Sequence, residues 1–327
     1  MKLKEINLMN VFLCFSVVLI HLTSSPVTSL RHDSIWYLLF FAINKFLTFA
    51  VPGFIFLSGL KLHNKYKDIQ IDIKKFYSGR FKKIVIPYIV AFLIYFVFYK
   101  LLNLVLLKEL LPALLLGTLA AHFYYIIIAL QFYLIFPLLN KIFNKYDKLL
   151  LLLSLISTFI FNQFVHFSYS DRFFGTYIFY FVLGMFLSKI NASIKQKHLV
   201  ISSALFIPLT LIHIYFSYKM SLGGFWYKPS GIVQVIYVSL ACVVIYDLCL
   251  YLKNVKFEKI VNFFEPHTFH IFLYHILFMN ILKFVVYPYF NLSVKYKFLI
   301  SSIVIFTIII GYCWLKNKLL KRSRLTK

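Results

Sequence analysis

The chain has 327 residues, of which 61% are hydrophobic and only 14% charged, where a soluble domain carries about 45–50% apolar residues. A soluble fold of this size would have to bury nearly all of that apolar surface, which surface-to-volume scaling excludes, whereas about ten bilayer-spanning helices of ~20 residues would absorb it. The formal net charge of +25 then reads as basic residues collected in cytoplasmic loops, not as a nucleic-acid footprint.

In chain order, the first predicted span covers 6–24. Lys2 and Lys4 before it and Thr23-Ser24-Ser25 at its end imitate signal-peptide flanks, but the spans downstream predict an uncleaved first helix. Apolar runs separated by charged or Pro/Gly breaks predict further spans at 38–62, 84–106, 121–140, 149–166, 173–189, 199–217, 230–252, 268–289 and 297–316. The piece 109–120, around Pro112 and Gly117, is apolar but too short to span and reads as interfacial or re-entrant. With both termini cytoplasmic, 25 Lys and Arg fall inside and eight outside, with Lys45 and Lys283 within spans. That threefold bias, with every loop in phase, supports the span count and the orientation, and an odd number of spans would break the alternation. The prediction is an all-α polytopic membrane bundle of about ten helices, one domain over 1–327 with no separate soluble part.

Ionisable residues inside spans are costly and mark functional candidates. His21 lies beyond the midpoint of the first span towards the outside; it either pairs across helices, reaches the interface, or does chemistry. His122 opens the fourth span ahead of Phe123-Tyr124-Tyr125, where membership of the aromatic belt is the plainer account. His275 follows Tyr274 in the inner half of the ninth span. Lys45 and Lys283 can snorkel. Asp247 is the one carboxylate clearly within a span, which argues against an ion-coupled carrier. Histidine is the better-supplied acid–base group. The four cysteines form no CxxC pair, so packing is expected and no metal site.

The densest cationic stretch runs from Lys74-Lys75-Phe76-Tyr77-Ser78-Gly79-Arg80-Phe81-Lys82-Lys83 to Ile86-Pro87-Tyr88. It reads either as an anchor on anionic lipid or as a cradle for a phosphorylated cytoplasmic ligand, with Arg80 as the bidentate group and Lys82 and Lys83 as point charges.

Several short segments together carry a resemblance. They are His21 at the end of the first span, Val51-Pro52-Gly53-Phe54-Ile55-Phe56-Leu57-Ser58-Gly59, Arg80-Phe81-Lys82-Lys83, His122-Phe123-Tyr124, Gln131-Phe132-Tyr133-Leu134-Ile135-Phe136-Pro137, Tyr180-Phe181-Val182-Leu183-Gly184 and Phe272-Leu273-Tyr274-His275. In this order, with ten spans, the chain resembles the acyltransferase-3 family of bacterial membrane O-acyltransferases, close to the branch that modifies intercellular-adhesion poly-N-acetylglucosamine. The resemblance implies transfer of an acyl group, acetyl or succinyl, from cytoplasmic acyl-CoA (acetyl-CoA or succinyl-CoA) to a hydroxyl of an extracytoplasmic glycan. It implies a multi-pass protein of the bacterial cytoplasmic membrane, with membrane lipids around it and a polysaccharide synthase as partner. No permanently bound cofactor, metal or nucleic acid is expected.

Carried over, His21 is the general base or relay nucleophile, and Arg80 and Lys83 match a pair that engages CoA phosphates, with Lys82 beside them. Ser58, His122, Tyr124, Gln131, Tyr274 and His275 are supporting or substrate-binding candidates, and His122, Tyr124 and His275 are the open choices for a partner of His21. The family's arginine eleven residues before the histidine is Asn10 here. Donor binding then falls to Lys4, Lys82 or Arg80, or the donor differs, or activity is lost. Two other readings remain open from sequence: a glycan or lipid-linked sugar translocator whose aromatics stack on sugar rings, and a sensory or scaffold protein descended from an enzyme.

Overall fold

The computed structural model describes residues 4–165, 167–190, 196–223, 231–253 and 257–325. Lys2, Lys195, Lys228, Lys256 and Lys327, counted in the charge topology, lie outside the described residues. Thirteen α-helices are present among the described residues, and no strand. They are α1 (Lys4–Ser29), α2 (Ile35–Phe46), α3 (Ala50–Tyr66), α4 (Ile73–Arg80), α5 (Ile86–Leu101), α6 (Leu110–Leu116), α7 (Phe123–Gln163), α8 (Ile178–Ile190), α9 (Gln196–Ser221), α10 (Ile232–Leu252), α11 (Glu258–Phe264), α12 (Thr268–Ile281) and α13 (Val294–Leu325). Lipid offers no partner to a peptide group, so each apolar run must satisfy its own backbone by coiling.

Eight stretches among the described residues are long and apolar enough to cross a membrane. The protein is therefore a polytopic membrane helical bundle. The expected spans 121–140 and 149–166 fall largely on the one helix α7, position 166 lying outside the described residues; its 41 residues would measure about 62 Å at 1.5 Å per residue. Tyr146 breaks it with non-helical φ −137° and ψ 49°, in the polar stretch where the intervening loop was expected. The expected span 173–189 is the 13-residue α8, preceded by two short 3₁₀ turns. The segment 109–120 contains the seven-residue α6. Gly117 ends it in the left-handed region at φ 62°, and an added Cβ would meet the Phe123 carbonyl at 2.9 Å.

Three local departures from α geometry each lie in the turn before a proline. They are a 3₁₀ turn at Leu47–Phe49 before Pro52, and π-helical turns at Phe81–Val85 before Pro87 and Leu282–Val286 before Pro288. A proline lacks the N–H that would bond four residues back, and the ladder re-registers there. Pro137 and Pro208 are accommodated inside α7 and α9 with no such turn.

The chain forms two compact units, interleaved in sequence. One holds α1, α2, α9, the part of α10 from Val243, and α11–α13; the other holds α3 from Val51 to α8 and the part of α10 up to Cys242. In the first unit α1 is the hub, packed by α2, α11, α12 and α13. Its buried stripe Ile6, Met9, Leu13 and Val17 follows helical spacing. In the second, α7 is the hub for α4, α6 and α8. Phe132 of α7 stacks on Phe181 of α8 at 4.6 Å between centroids. Gly59 of α3 and Gly184 of α8 bring backbones together there: an added Cβ would sit 2.0 Å from the Phe181 carbonyl at Gly59 and 2.0 Å from that of Phe56 at Gly184. Small residues permit this approach where lipid gives helices no hydrophobic drive to associate.

Candidate active site

The first unit builds its polar seam between α1 and α12. Asn10 donates its amide to Thr268 Oγ1 at 2.9 Å, and Cys14 Sγ reaches the Thr268 carbonyl at 3.5 Å. Further along, the rings of His21 and His275 lie 5.2 Å apart, inclined by 46°. Contacts that advance together along both helices mean that α1 and α12 run parallel, as two spans leaving the same membrane face must.

The His275 ring is fixed from its own helix. Its Nδ1 lies 3.1 Å from the Ile271 carbonyl and 2.8 Å from that of Phe272. Carbonyl oxygens only accept, so Nδ1 carries the proton and Nε2 is the basic nitrogen of the neutral ring. His275 is buried, at 2% exposure, while His21 is half-buried. His275, one of the three partners left open by the sequence, meets the His21 ring. Tyr274, one residue earlier, is half-buried.

Asn10, about 16 Å below His21 at the helical rise, spends its amide N–H on joining two helices. The four cysteines are free and buried, as expected of packing residues. Among the described residues no cluster of metal-ligating side chains occurs.

In the second unit, Arg80 closes α4 with its guanidinium between two rings, 5.2 Å from the Phe76 centroid and 4.9 Å from that of Tyr133 on α7. Such stacking fixes the plane of the fork and leaves its N–H edges to receive oxygens. Tyr77 donates its hydroxyl to the Leu134 carbonyl at 2.8 Å and so ties α4 to α7. Lys82 and Lys83 follow in the π-helical turn and are exposed. The α4 start is capped by Asp72, whose carboxylate accepts from the Lys75 N–H at 3.0 Å; that bond and the Lys75 ammonium hold its carboxyl below the usual range.

The remaining candidates occupy separate settings in this unit. Ser58 donates to the Phe54 carbonyl at 2.8 Å, inside its own helix. His122 is buried at 1% exposure beside Tyr95, 5.8 Å between centroids; it is a buried ring, where the sequence suggested the aromatic belt. Gln131 clamps the loop before α8 by donating to the Arg172 carbonyl at 2.7 Å and accepting from the Phe174 N–H at 3.0 Å. Tyr124, two turns before Gln131 on α7, lies within electrostatic range of Arg172.

Three polar residues escaped the sequence reading. His63 is buried between Ser188 and Asn144. His213 lies 3.1 Å from Thr48 Oγ1; that hydroxyl is donated to the Lys45 carbonyl at 2.7 Å, so His213 is the donor to it. His213 lies within an apolar run, the signal that singled out His21 and His275, whereas His63 stands between Lys61 and Lys65 just past the end of one. Arg172, assigned only to an outer loop, is largely buried, with 18% of its side chain exposed.

No curated protein and no solved structure matches the chain. The profile of the acyltransferase domain family, Acyl_transf_3, matches residues 3–317 and so takes in α1 with His21, the α4 cationic turn and α12 with His275. A membrane bundle that carries a histidine pair on two parallel helices and matches that profile over nearly its whole length belongs to the acyltransferase-3 family, and the protein is a membrane acyltransferase.

Proposed function

We propose that the protein is an O-acyltransferase of the bacterial cytoplasmic membrane that takes an acetyl or succinyl group from cytoplasmic acyl-CoA and passes it to a hydroxyl of a cell-surface polysaccharide. Poly-N-acetylglucosamine is the acceptor suggested by the resemblance of the motifs. The observation that carries the reading is the His21–His275 pair, with His275 locked in one tautomer by two carbonyls.

In this mechanism His21 removes the proton of the acceptor hydroxyl as its oxygen attacks the thioester carbonyl. The C–O bond forms, the C–S bond breaks, and the departing CoA sulfur takes the proton from His21. His275 packs against the His21 ring and orients it, with Nε2 the nitrogen left to support it. Arg80, held flat by Phe76 and Tyr133, receives donor phosphates together with Lys82 and Lys83. Asn10 contributes no charge to this step, and cationic capture rests on the α4 turn.

The test is acetyl-CoA binding and acyl transfer by the purified protein in detergent. The wild type binds saturably. The Arg80→Ala/Lys83→Ala double variant loses affinity by on the order of tenfold or more, since charge-assisted phosphate contacts contribute about 1.5–3 kcal/mol each. His21→Ala binds the donor but transfers nothing. Full acylation by a stably folded His21→Ala protein, or no binding of either acetyl-CoA or succinyl-CoA by the wild type, overturns the proposal.

A further inference from the structure

Arg172 stands out among the charged residues of the second unit. It sits in the loop before α8, and that loop is pinned at several points. Gln131 holds it at Arg172 and Phe174, Thr176 donates to the Ser170 carbonyl at 3.0 Å, and Tyr177 donates to the Asp171 carbonyl at 3.0 Å. So tethered a backbone fixes where the guanidinium points. Its face covers Tyr169 at 4.8 Å from the ring centroid.

Its Nε and Nη1 are buried and have no hydrogen-bond acceptor among the described residues. The nearest carboxylate, Asp171, is 3.8 Å from Nε and 62% exposed, too long for a hydrogen bond. The hydroxyls of Tyr88, Tyr124 and Tyr177 lie within electrostatic range, but none accepts a hydrogen bond from Nε or Nη1, and those of Tyr88 and Tyr177 are donated to the carbonyls of Leu114 and Asp171. A buried guanidinium with two unmet N–H groups is costly in an apolar bundle. The chemistry that meets it is an anionic oxygen.

We propose that Arg172, with the Tyr124 hydroxyl within electrostatic range, forms an oxyanion-binding site that takes a carboxylate or phosphate oxygen of the glycan acceptor. The charge topology puts this loop on the extracytoplasmic face, where an acceptor arrives and acyl-CoA does not. The identification of the anion with the acceptor rests on the acyltransferase proposal; the anion site itself rests on the geometry of the loop. An acidic polysaccharide, bearing uronate or phosphodiester groups, would be favoured over a neutral one, so this site departs from the poly-N-acetylglucosamine acceptor that the motif resemblance suggests and keeps only the transfer to a cell-surface glycan. A lipid phosphate shares the same chemistry and is distinguished by experiment.

Glucuronate, inorganic phosphate and glucose at matched ionic strength are titrated into the full-length protein in neutral detergent, with thermal unfolding as the readout. In parallel, retention of phosphatidylglycerol against phosphatidylcholine is measured by native mass spectrometry. The variants are Arg172→Gln, Arg172→Lys and Tyr124→Phe, and the acetyl-CoA titration of each is the control that separates this site from donor binding. Glucuronate or phosphate is expected to stabilise the wild type where glucose does not. The apparent affinity falls by on the order of tenfold in Arg172→Gln and less in Arg172→Lys, which keeps charge but loses the fork. Tyr124→Phe, which keeps the ring and its packing, loses a smaller factor and carries the test if Arg172→Gln does not fold. Arg172-dependent retention of phosphatidylglycerol without a response to glucuronate or phosphate overturns the acceptor assignment. Equal responses in wild type and all variants, or no anion response in the wild type, overturn the site.

Discussion

His275 donates through Nδ1 to the carbonyls of Ile271 and Phe272, so its two nitrogens have separable duties. Asparagine can keep the short-range donor bond and cannot replace Nε2. His275→Asn should therefore insert and fold but transfer acyl groups about 10²-fold more slowly, a typical loss when acid–base support is removed, with acetyl-CoA affinity unmoved; initial rates with saturating donor check this. At Asn10 the expected loss is structural. Asn10→Ala removes the Thr268 bond and should lower stability by about 0.6 kcal/mol, the average for interhelical polar contacts in membranes, measurable by unfolding in detergent mixtures. Arg80 belongs to the same scale: its rings hold the guanidinium plane, so Arg80→Lys keeps the charge but should weaken donor binding through loss of the stacked fork.

Among the elements, the α3–α8 contact has least room. With a Cβ only 2.0 Å from a backbone oxygen at Gly59 and at Gly184, Gly59→Ala or Gly184→Ala must push two helices apart. Each should cost at least the ~1–3 kcal/mol typical of overpacking, seen as a lower unfolding temperature in detergent. The α4 helix offers a pH test. The Asp72 carboxyl is held below its ordinary value by the Lys75 N–H and ammonium. Its support for α4 is thus fully present above the unfolded value near 3.9 and is lost as pH falls through the lower folded value. Amide exchange at residues 74–76 should accelerate over that acidic window in the wild type, whereas Asp72→Ala should exchange fast throughout.

For the whole molecule, the bias of basic residues between alternate loops predicts an orientation with both termini inside. The four native cysteines are buried, which leaves a low background for labelling. Single cysteines in D33C and N291C should react with an impermeant maleimide from outside intact cells. Those in D68C and K318C, exposed in the native protein, should react only after the membrane is opened. Reaction of D68C in intact cells would reverse the orientation and with it the placement of donor and acceptor faces.

Membrane residence, the helical class and most span positions were legible in the sequence, because a bilayer demands a run of apolar residues from each span separately and no tertiary information enters. The break in α7 fell where the polar stretch around Tyr146 predicted one, and His21 stood out because ionisable groups are rare in such runs. Which groups meet was a different question. In a soluble helix the apolar stripe names the packed face, but in lipid the packed and lipid-facing sides are both apolar and periodicity is silent. Tertiary packing alone therefore paired His21 with His275, engaged Asn10 with Thr268, buried His63 and His213, and, through the Gln131 clamp, drew Arg172 in from an outer loop that its sequence had made look solvated.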